Sequence, residues 1–587
     1  MPDSATTVPH RAHPGHRAPA ARRSRRALAA AVAGLSLIAA AACDTASAEG
    51  QPDPPKPGGT LHLVVAAKLE HLDPQRIAAA TDANISRLFT RTLTTFKSDP
   101  ESASEIVGDL ATDTGRPSEG NRVWDFTLKK DVKWEDGSPV TCSDVEYGVE
   151  RNFFSSFTTG LPYPKQLLKD NAVPYEGPKG DNNDGKGLES VTCLDERTIR
   201  FELNQPVGDF GYAVALSVFA PVPRGRDEPR EEYDRKPMSN GPYKIVESTD
   251  EKLVLERNPH WVRATDPVRQ QYPDRIEVTV DPDVAAVTYR ILQDQGDAAS
   301  TVQLDVDVAS NFVQQVINDE QLSARLIQGD HTGVRYLAIN TRRVSDLRCR
   351  QALVYAANKR KFRSAMGGSM FGELATSVIS PSLRSHKEFD LYNTKTKPEG
   401  DLERARELLK EAGKACPKKI RLVFPEPRRR LMSVIAESFQ RAGLETEMIG
   451  IGSDRNYFAD VIGRPDNDFD VMWAGWVADW ANGSAVIPPL FSGKVIPKGE
   501  DANGNQNFSL LDDPEINAMI DEAMAESNLE RQYAMWGEID QKIMERAAII
   551  PLMYMTSLRM AGSNVRGGFI HPQYGSPDVT QLGLANP

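Results

Sequence analysis

From Gly58 to the C-terminus, strand-like and helix-like segments alternate without an internal repeat, which restricts the chain to α/β layers in which helices cover sheets. Gly58-Gly59-Thr60-Leu61-His62-Leu63-Val64-Val65 sets a glycine pair before a β-branched, partly alternating run, the expected first strand. Val123 to Leu128, Thr198 to Leu203, Tyr243 to Val246 and Lys252 to Glu256 read as strands by the same pattern. Ser143 or Asp144 is expected to cap a short helix that runs to Asn152. Asp401 opens a run with Leu402, Ala405, Leu408, Leu409 and Ala412 on one face, and Gly413 stops it. Ser527 and Glu530 have the spacing of a capping box before Leu529, Tyr533, Trp536, Ile539 and Ile543, with Pro551 closing the segment ahead of a strand at Leu552 to Met555. Ile420 to Phe424 and Phe469 to Trp473 are expected strands that flank a helix over Leu431 to Ala442. At 587 residues the chain exceeds the roughly 250 to 300 at which a single core stops growing, so two or three domains are expected.

Residues 1–42 read differently. Arg22, Arg23, Arg25 and Arg26 precede an apolar stretch of small residues from Ala27 to Ala42, shorter than the roughly 20 residues a membrane-spanning helix needs. This is the pattern of an export signal. Ala40-Ala41-Ala42-Cys43 resembles a lipoprotein processing site at which Cys43 is diacylated, although Ala40 stands where leucine is usual. Ser24-Arg25-Arg26-Ala27-Leu28 also resembles a twin-arginine signal, so both export routes stay open. Residues 43–57 carry four prolines and read as a semi-rigid, lipid-anchored tether on the outer face of the cytoplasmic membrane. The leader holds six arginines and one aspartate, so the rest of the chain is more acidic than the net charge of −12 for the whole. That balance argues against nucleic acid as a partner. Neither the cysteines nor the histidines have metal-ligand spacing, and His10, His13 and His16 fall in the leader; no metal and no cofactor are expected. In the turn Asp181 to Gly187, Gly185 occupies what would be a calcium-ligand position.

One segment is more specific than any of these. Asp131-Val132-Lys133-Trp134-Glu135-Asp136-Gly137-Ser138-Pro139-Val140-Thr141, followed by Ser143-Asp144-Val145-Glu146-Tyr147-Gly148-Val149-Glu150-Arg151, resembles the signature of the extracellular solute-binding proteins of family 5, which feed peptide and nickel importers of the ATP-binding-cassette type. Supporting matches follow in order: Leu72-Asp73-Pro74, Ser239-Asn240-Gly241-Pro242-Tyr243, Arg257-Asn258-Pro259-His260-Trp261, Gln295-Gly296-Asp297, Tyr336 to Thr341, and Arg350-Gln351-Ala352-Leu353. The resemblance implies an α/β, periplasmic-binding-protein-like type II fold, with two lobes, a hinge and an extra domain inserted in the first lobe. Mapped onto this chain, residues 58–97 with 235–330 and 561–587 form the first lobe, 98–234 the inserted domain and 331–560 the second lobe. Cys142, Cys193, Cys349 and Cys416 allow three pairings in an oxidising exterior. Cys142 with Cys193 and Cys349 with Cys416 is favoured, because each pair then falls within one expected unit.

Phe469-Asp470-Val471-Met472-Trp473-Ala474-Gly475-Trp476-Val477-Ala478-Asp479-Trp480 speaks to the ligand. The expected strand puts Trp476 and Asp479 in the loop at its carboxyl end, where α/β sheets place ligands. In peptide-binding members of the family, the aspartate of a Gly-Trp-x-Ala-Asp motif pairs with the ligand's α-ammonium, and Asp479 matches that position. Trp476 and Trp480 are then expected as apolar walls, with Asn482 beside them. The sequence departs from many members in Trp480-Ala481-Asn482-Gly483, where an acidic residue and proline are common. Downstream, Asn505 and Asn507 in the polar run from Asn503 are candidates to read peptide carbonyls. No nucleophile elbow, zinc helix or phosphate loop is present, so an enzyme is not expected. The expectation is a monomeric binder of oligopeptides or dipeptides that serves permease subunits in the membrane. The alternatives are a non-peptide solute (a metal chelate, an oligosaccharide or an opine-like compound) or a surface receptor for signalling rather than uptake.

Overall fold

The structure, a computed structural model, describes residues 53–178, 187–499 and 504–587. The leader, Cys43, the first part of the tether, the turn up to residue 186 and Asn503 lie outside them. Three sheets organise the described chain. The first orders its strands Thr301–Gln303, Thr60–Val65, Arg275–Val280, Lys252–Arg257 and Tyr243–Ser248, with Thr60–Val65 parallel to both neighbours. Leu61, Leu63 and Val65 are fully buried on it, as the alternation requires.

The second sheet has six strands: Gly372–Leu374, Ile549–Met560, Leu326–Ile339, Val471–Trp476, Lys419–Pro425 and Glu445–Ile451. Its two long strands, Leu326–Ile339 and Ile549–Met560, run antiparallel and join the lobes. Their Ile327 and Leu558 ends pack with first-lobe residues, whereas Val334 to Ile339 and Ile549 to Leu552 belong to the second-lobe core. The register breaks between Asp330 and Val334, where the pair passes from one core to the other.

The third sheet, Arg116–Ser118, Val123–Thr127, Thr198–Glu202 and Val191–Cys193, is antiparallel and lies within residues 98–234. Trp124, Phe126, Phe201, Phe210 and Phe219 form its core. The helix Cys142–Arg151 packs on it. Disulfides link Cys142 to Cys193 and Cys349 to Cys416.

Local chemistry corrects several sequence expectations. Thr141, not Ser143 or Asp144, precedes the first of these helices; its N–H donates to the Asp144 carboxylate (2.8 Å) from outside the first turn. Asn528 rather than Ser527 caps Leu529–Glu545, accepting from the Arg531 N–H. Pro551 does not stop a segment: it lies inside Ile549–Met560 next to a register shift, where the ladder is already irregular and can accommodate a residue without an N–H. The strand expected to end at Trp473 begins at Val471 and continues to Trp476, which pairs with Val334, so Trp476 is a strand residue and not a loop residue.

The signature segment is built for rigidity. Gly137 takes a positive φ in the turn, Trp134 is buried with its Nε1 on Asp144 (3.3 Å), and the helix delivers Arg151 to a fully buried site. There the guanidinium meets Asp73 of the first lobe (2.6 and 2.8 Å) and Asp227 at the far end of the inserted domain (3.0 Å), which also accepts from the Tyr147 hydroxyl (3.0 Å). Removing one partner of such a cluster leaves uncompensated charge in the interior. Arg151→Met is expected to cost about 3–5 kcal/mol in urea unfolding, whereas Arg116→Met at the exposed Arg116–Asp113 pair should leave the midpoint essentially unchanged.

Candidate functional site

Where the first lobe, the inserted domain and the second lobe meet, they border a partly open cavity of about 330 Å³. Small first-lobe residues such as Ala80 and Ala83 form one wall, Leu161 and Leu216 of the inserted domain another, and Val477 to Asp479 a third, with Gln573 and Tyr574 of the C-terminal segment closing the end. Val477 and Asp479 lie immediately beyond Val471–Trp476, at the carboxyl edge of the parallel pair it makes with Lys419–Pro425.

Asp479 accepts a hydrogen bond from the Tyr163 hydroxyl, which the inserted domain presents from its short helix Tyr163–Leu167. Among the described residues no lysine or arginine pairs with it. Burial pushes the Asp479 carboxyl up to about 6, with the Tyr163 bond pulling in the opposite direction. Arg87 and Arg269 also line the cavity, but their charges are met by Asp578 and by Asp109 and Asp266. The cavity therefore presents an anionic carboxylate without a counterion.

The other residues expected at the ligand hold the site together instead. Trp476 donates its Nε1–H to the Ala485 carbonyl (2.8 Å) and does not line the cavity. Trp480 is buried: its Nε1 meets Ser484 Oγ (2.7 Å) and Asp209 (3.2 Å), and its ring stands edge-on to Tyr163 with centroids 4.8 Å apart. It braces the tyrosine that holds Asp479. Asn482 is fully buried and saturated, donating to Asp209 (2.8 Å) and Gln532 (2.6 Å) and accepting from Ser385 (2.8 Å). Asn507 donates to the Ser492 and Leu511 carbonyls and accepts from Ser509 and the Leu511 N–H, while Asn505 exchanges bonds with the Asn507 backbone. Both asparagines close their own loop, and Asn507 has no hydrogen-bonding capacity left for a peptide, while Asn505 is buried with one donor and one acceptor position spent.

Two features escaped the sequence. Tyr163 reaches Asp479 from the insert and Gln573 reaches the cavity from the C-terminal segment, with no motif to mark them. Arg335 and Arg428 lie over the Trp473 ring, at 5.9 and 5.6 Å from its centroid, and no carboxylate among the described residues pairs with either. Burial, then the charge of Arg428, lowers the Arg335 pKa. Arg428 follows Lys419–Pro425 and Arg335 pairs with Gly475, so both lie toward the sheet edge that carries Asp479.

Two hinged lobes with a ligand-sized cavity at their junction define a solute-binding protein. Residues 105–497 match the middle region of the bacterial extracellular solute-binding proteins, family 5. The solved structure of clavulanic acid biosynthesis oligopeptide binding protein 2 is 32% identical and superposes with a TM-score of 0.82 over 90% of this chain and 96% of that one. The periplasmic murein peptide-binding protein MppA of Escherichia coli is 25% identical over 79% of this chain and 82% of its own length. The periplasmic oligopeptide-binding protein OppA of the same organism is 23% identical over 85% and 88%. The chain belongs to the bacterial extracellular solute-binding proteins, family 5.

The raised carboxyl makes a pH prediction for the ligand-free protein. A folded pKa above the unfolded one means that the group's favourable contribution is present below about pH 4 and is lost as pH rises through about 6. Asp479→Asn does not titrate and keeps an oxygen for Tyr163. Urea unfolding between pH 4 and 7 should show wild type losing on the order of 2 kcal/mol relative to this variant; parallel curves would place the carboxyl in a solvated setting.

Proposed function

We propose that this chain is the extracytoplasmic binding component of an ATP-binding-cassette importer, taking oligopeptides or dipeptides by their free amino terminus and delivering them to membrane permease subunits. The observation that carries this reading is the Asp479 carboxylate, which faces a cavity at the lobe junction and lacks a cation among the described residues. An α-ammonium would supply the charge and charge-assisted hydrogen bonds. Arg335 and Arg428 offer the complementary charge for a ligand carboxylate toward the same sheet edge. The relatives whose names specify oligopeptides or murein peptide agree with this ligand class.

In this reading residues 58–97, 235–330 and 561–587 move as one lobe with the inserted domain 98–234, and residues 331–560 close against them. The protein acts as a monomer without catalysing a reaction, and diacylated Cys43 holds it at the membrane. Cys43→Ala should shift it from the membrane fraction to the medium; retention in the membrane would remove the lipid anchor from the proposal.

The central test is native mass spectrometry of the purified protein. Wild type should carry a ladder of peptide masses, and Asp479→Ala should lose it. Calorimetry with any peptide so identified should show at least about 30-fold weaker binding to the variant, from the roughly 2–5 kcal/mol of a desolvated charge pair. Equal binding of the amino-acetylated peptide would remove Asp479 as the ammonium partner, and a single non-peptide mass would redirect the ligand class.

A further inference from the structure

The cavity contains a second acceptor. Gln573 is 6% exposed and lines the same cavity as Asp479. Its backbone N–H donates to His571 Nδ1 (3.2 Å), and His571 Nε2 faces the Lys97 carbonyl (3.1 Å). A carbonyl only accepts, so Nε2 carries the hydrogen and Nδ1 is free to accept. Burial, with Arg87 nearby, lowers the His571 pKa to about 3 and keeps the ring neutral. The Gln573 side chain is oriented by the same reasoning. Its Nε2 donates to the Ala478 carbonyl (2.8 Å), and the opposite amide orientation would set two oxygens against each other. Oε1 is therefore the other end of the amide, and it is buried without a donor among the described residues. Folded proteins seldom leave a buried acceptor in that state.

Asp479 is the residue after Ala478, so the two donor-poor acceptors stand beside the same short segment, one from each lobe. The Nη groups of Arg87 and Arg269 are committed to Asp578 and to Asp109 and Asp266, and cannot serve both. What would satisfy the pair is a group with several N–H donors, no acceptor and a positive charge, which describes an ammonium. We infer that Gln573 is a specificity-determining residue whose Oε1 joins Asp479 in accepting from the ligand's ammonium, so that the site distinguishes amines by the number of N–H donors they carry. The inference rests on the amino-terminal reading above. It adds that the ammonium ties the C-terminal segment to the second lobe, because Gln573 and Asp479 come from opposite sides of the junction.

The test uses a synthetic pool of tri- to pentapeptides with free, monomethylated, dimethylated or acetylated amino termini, competed against one another on the whole protein by native mass spectrometry. A dimethylated amine keeps its charge and one N–H, enough for Asp479 alone, whereas the monomethylated amine keeps two. Wild type should bind the dimethylated forms on the order of tenfold less than the monomethylated ones, with a smaller step from free to monomethylated. In Gln573→Leu the step from monomethylated to dimethylated should shrink to about the size of the first step, since steric cost is common to both proteins. An unchanged step in Gln573→Leu overturns the inference, as do equal steps in wild type, which decides the matter even if the variant does not fold. Both outcomes leave the Asp479 reading intact provided that acetylated peptides bind poorly. Acetylated peptides binding as well as free ones, or none of the pool binding, would overturn that reading and the inference with it.

Discussion

The Arg151 guanidinium, buried between Asp73 and Asp227, fastens the inserted domain to the first lobe. It gathers residues from the start of the first lobe, from the helix of the inserted domain and from the end of that domain, and its charge is met inside the protein at 2.6 to 3.0 Å. Arg91 and Arg269 do the same nearby, sharing Asp109 and Asp266. Separating such groups leaves buried charge without compensation, so the seam between first lobe and inserted domain resists opening. The seam to the second lobe is made differently. Tyr163 to Asp479, Trp480 and Asn482 to Asp209, and the Gln573 amide to the Ala478 carbonyl each place a neutral group on at least one side. Bonds of that kind contribute roughly 0.5–3 kcal/mol apiece, and water can replace them when the lobes part. Arg384 to Glu105 (3.8 Å) and Arg559 to Asp307 add charged pairs across the same boundary, so the two seams differ in degree and not in kind.

Two strands carry the chain between these bodies. Leu326–Ile339 and Ile549–Met560 pair on both sides of the junction but lose register from Asp330 to Val334, so the crossing point lacks the regular ladder that would stiffen it. Elsewhere the seam is close. At Gly208, whose N–H donates to the Met524 carbonyl (2.8 Å), a Cβ would come within 1.9 Å of the Glu526 oxygen. Only glycine lets the inserted domain approach the second lobe there, and that approach brings Asp209 to Trp480 and Asn482.

The sequence carried the α/β alternation, the strand that delivers Asp479 and the helix that carries Tyr147 and Arg151, because those depend on local period and turn chemistry. It did not carry the partners. Asn482, Asn505 and Asn507 have the composition of ligand-reading amides, and only tertiary accounting shows Asn482 spent on Asp209, Gln532 and Ser385, all distant in the chain. A side-chain amide looks the same in sequence whether protein or ligand completes it. Tyr163 and Gln573 were illegible for the converse reason: one reaches Asp479 and the other the cavity from an insert or a tail whose local pattern says nothing about what lies opposite. Trp480 was expected as an apolar wall, whereas in the structure its ring packs on Tyr163 and its N–H faces Asp209.

A half-buried carboxylate without a counterion is costly to fold around, and here that cost is informative. Asp73, Asp109, Asp227, Asp266 and Asp578, near this junction, all have guanidinium partners. Asp479 has only a tyrosine hydroxyl and Asp209 only neutral donors, and burial pushes both carboxyls upward. The two differ in surroundings. Asp209 is sealed at the seam, with three donors on its Oδ2 and none among the described residues on its Oδ1. Asp479 faces the cavity, and an arginine placed there would neutralise it permanently and leave nothing for a cationic guest to gain. In the reading proposed above, leaving the charge unmet places a desolvation cost on the ligand-free state that a cationic ligand would offset, through a Coulomb term that is stronger at a part-buried site than in water.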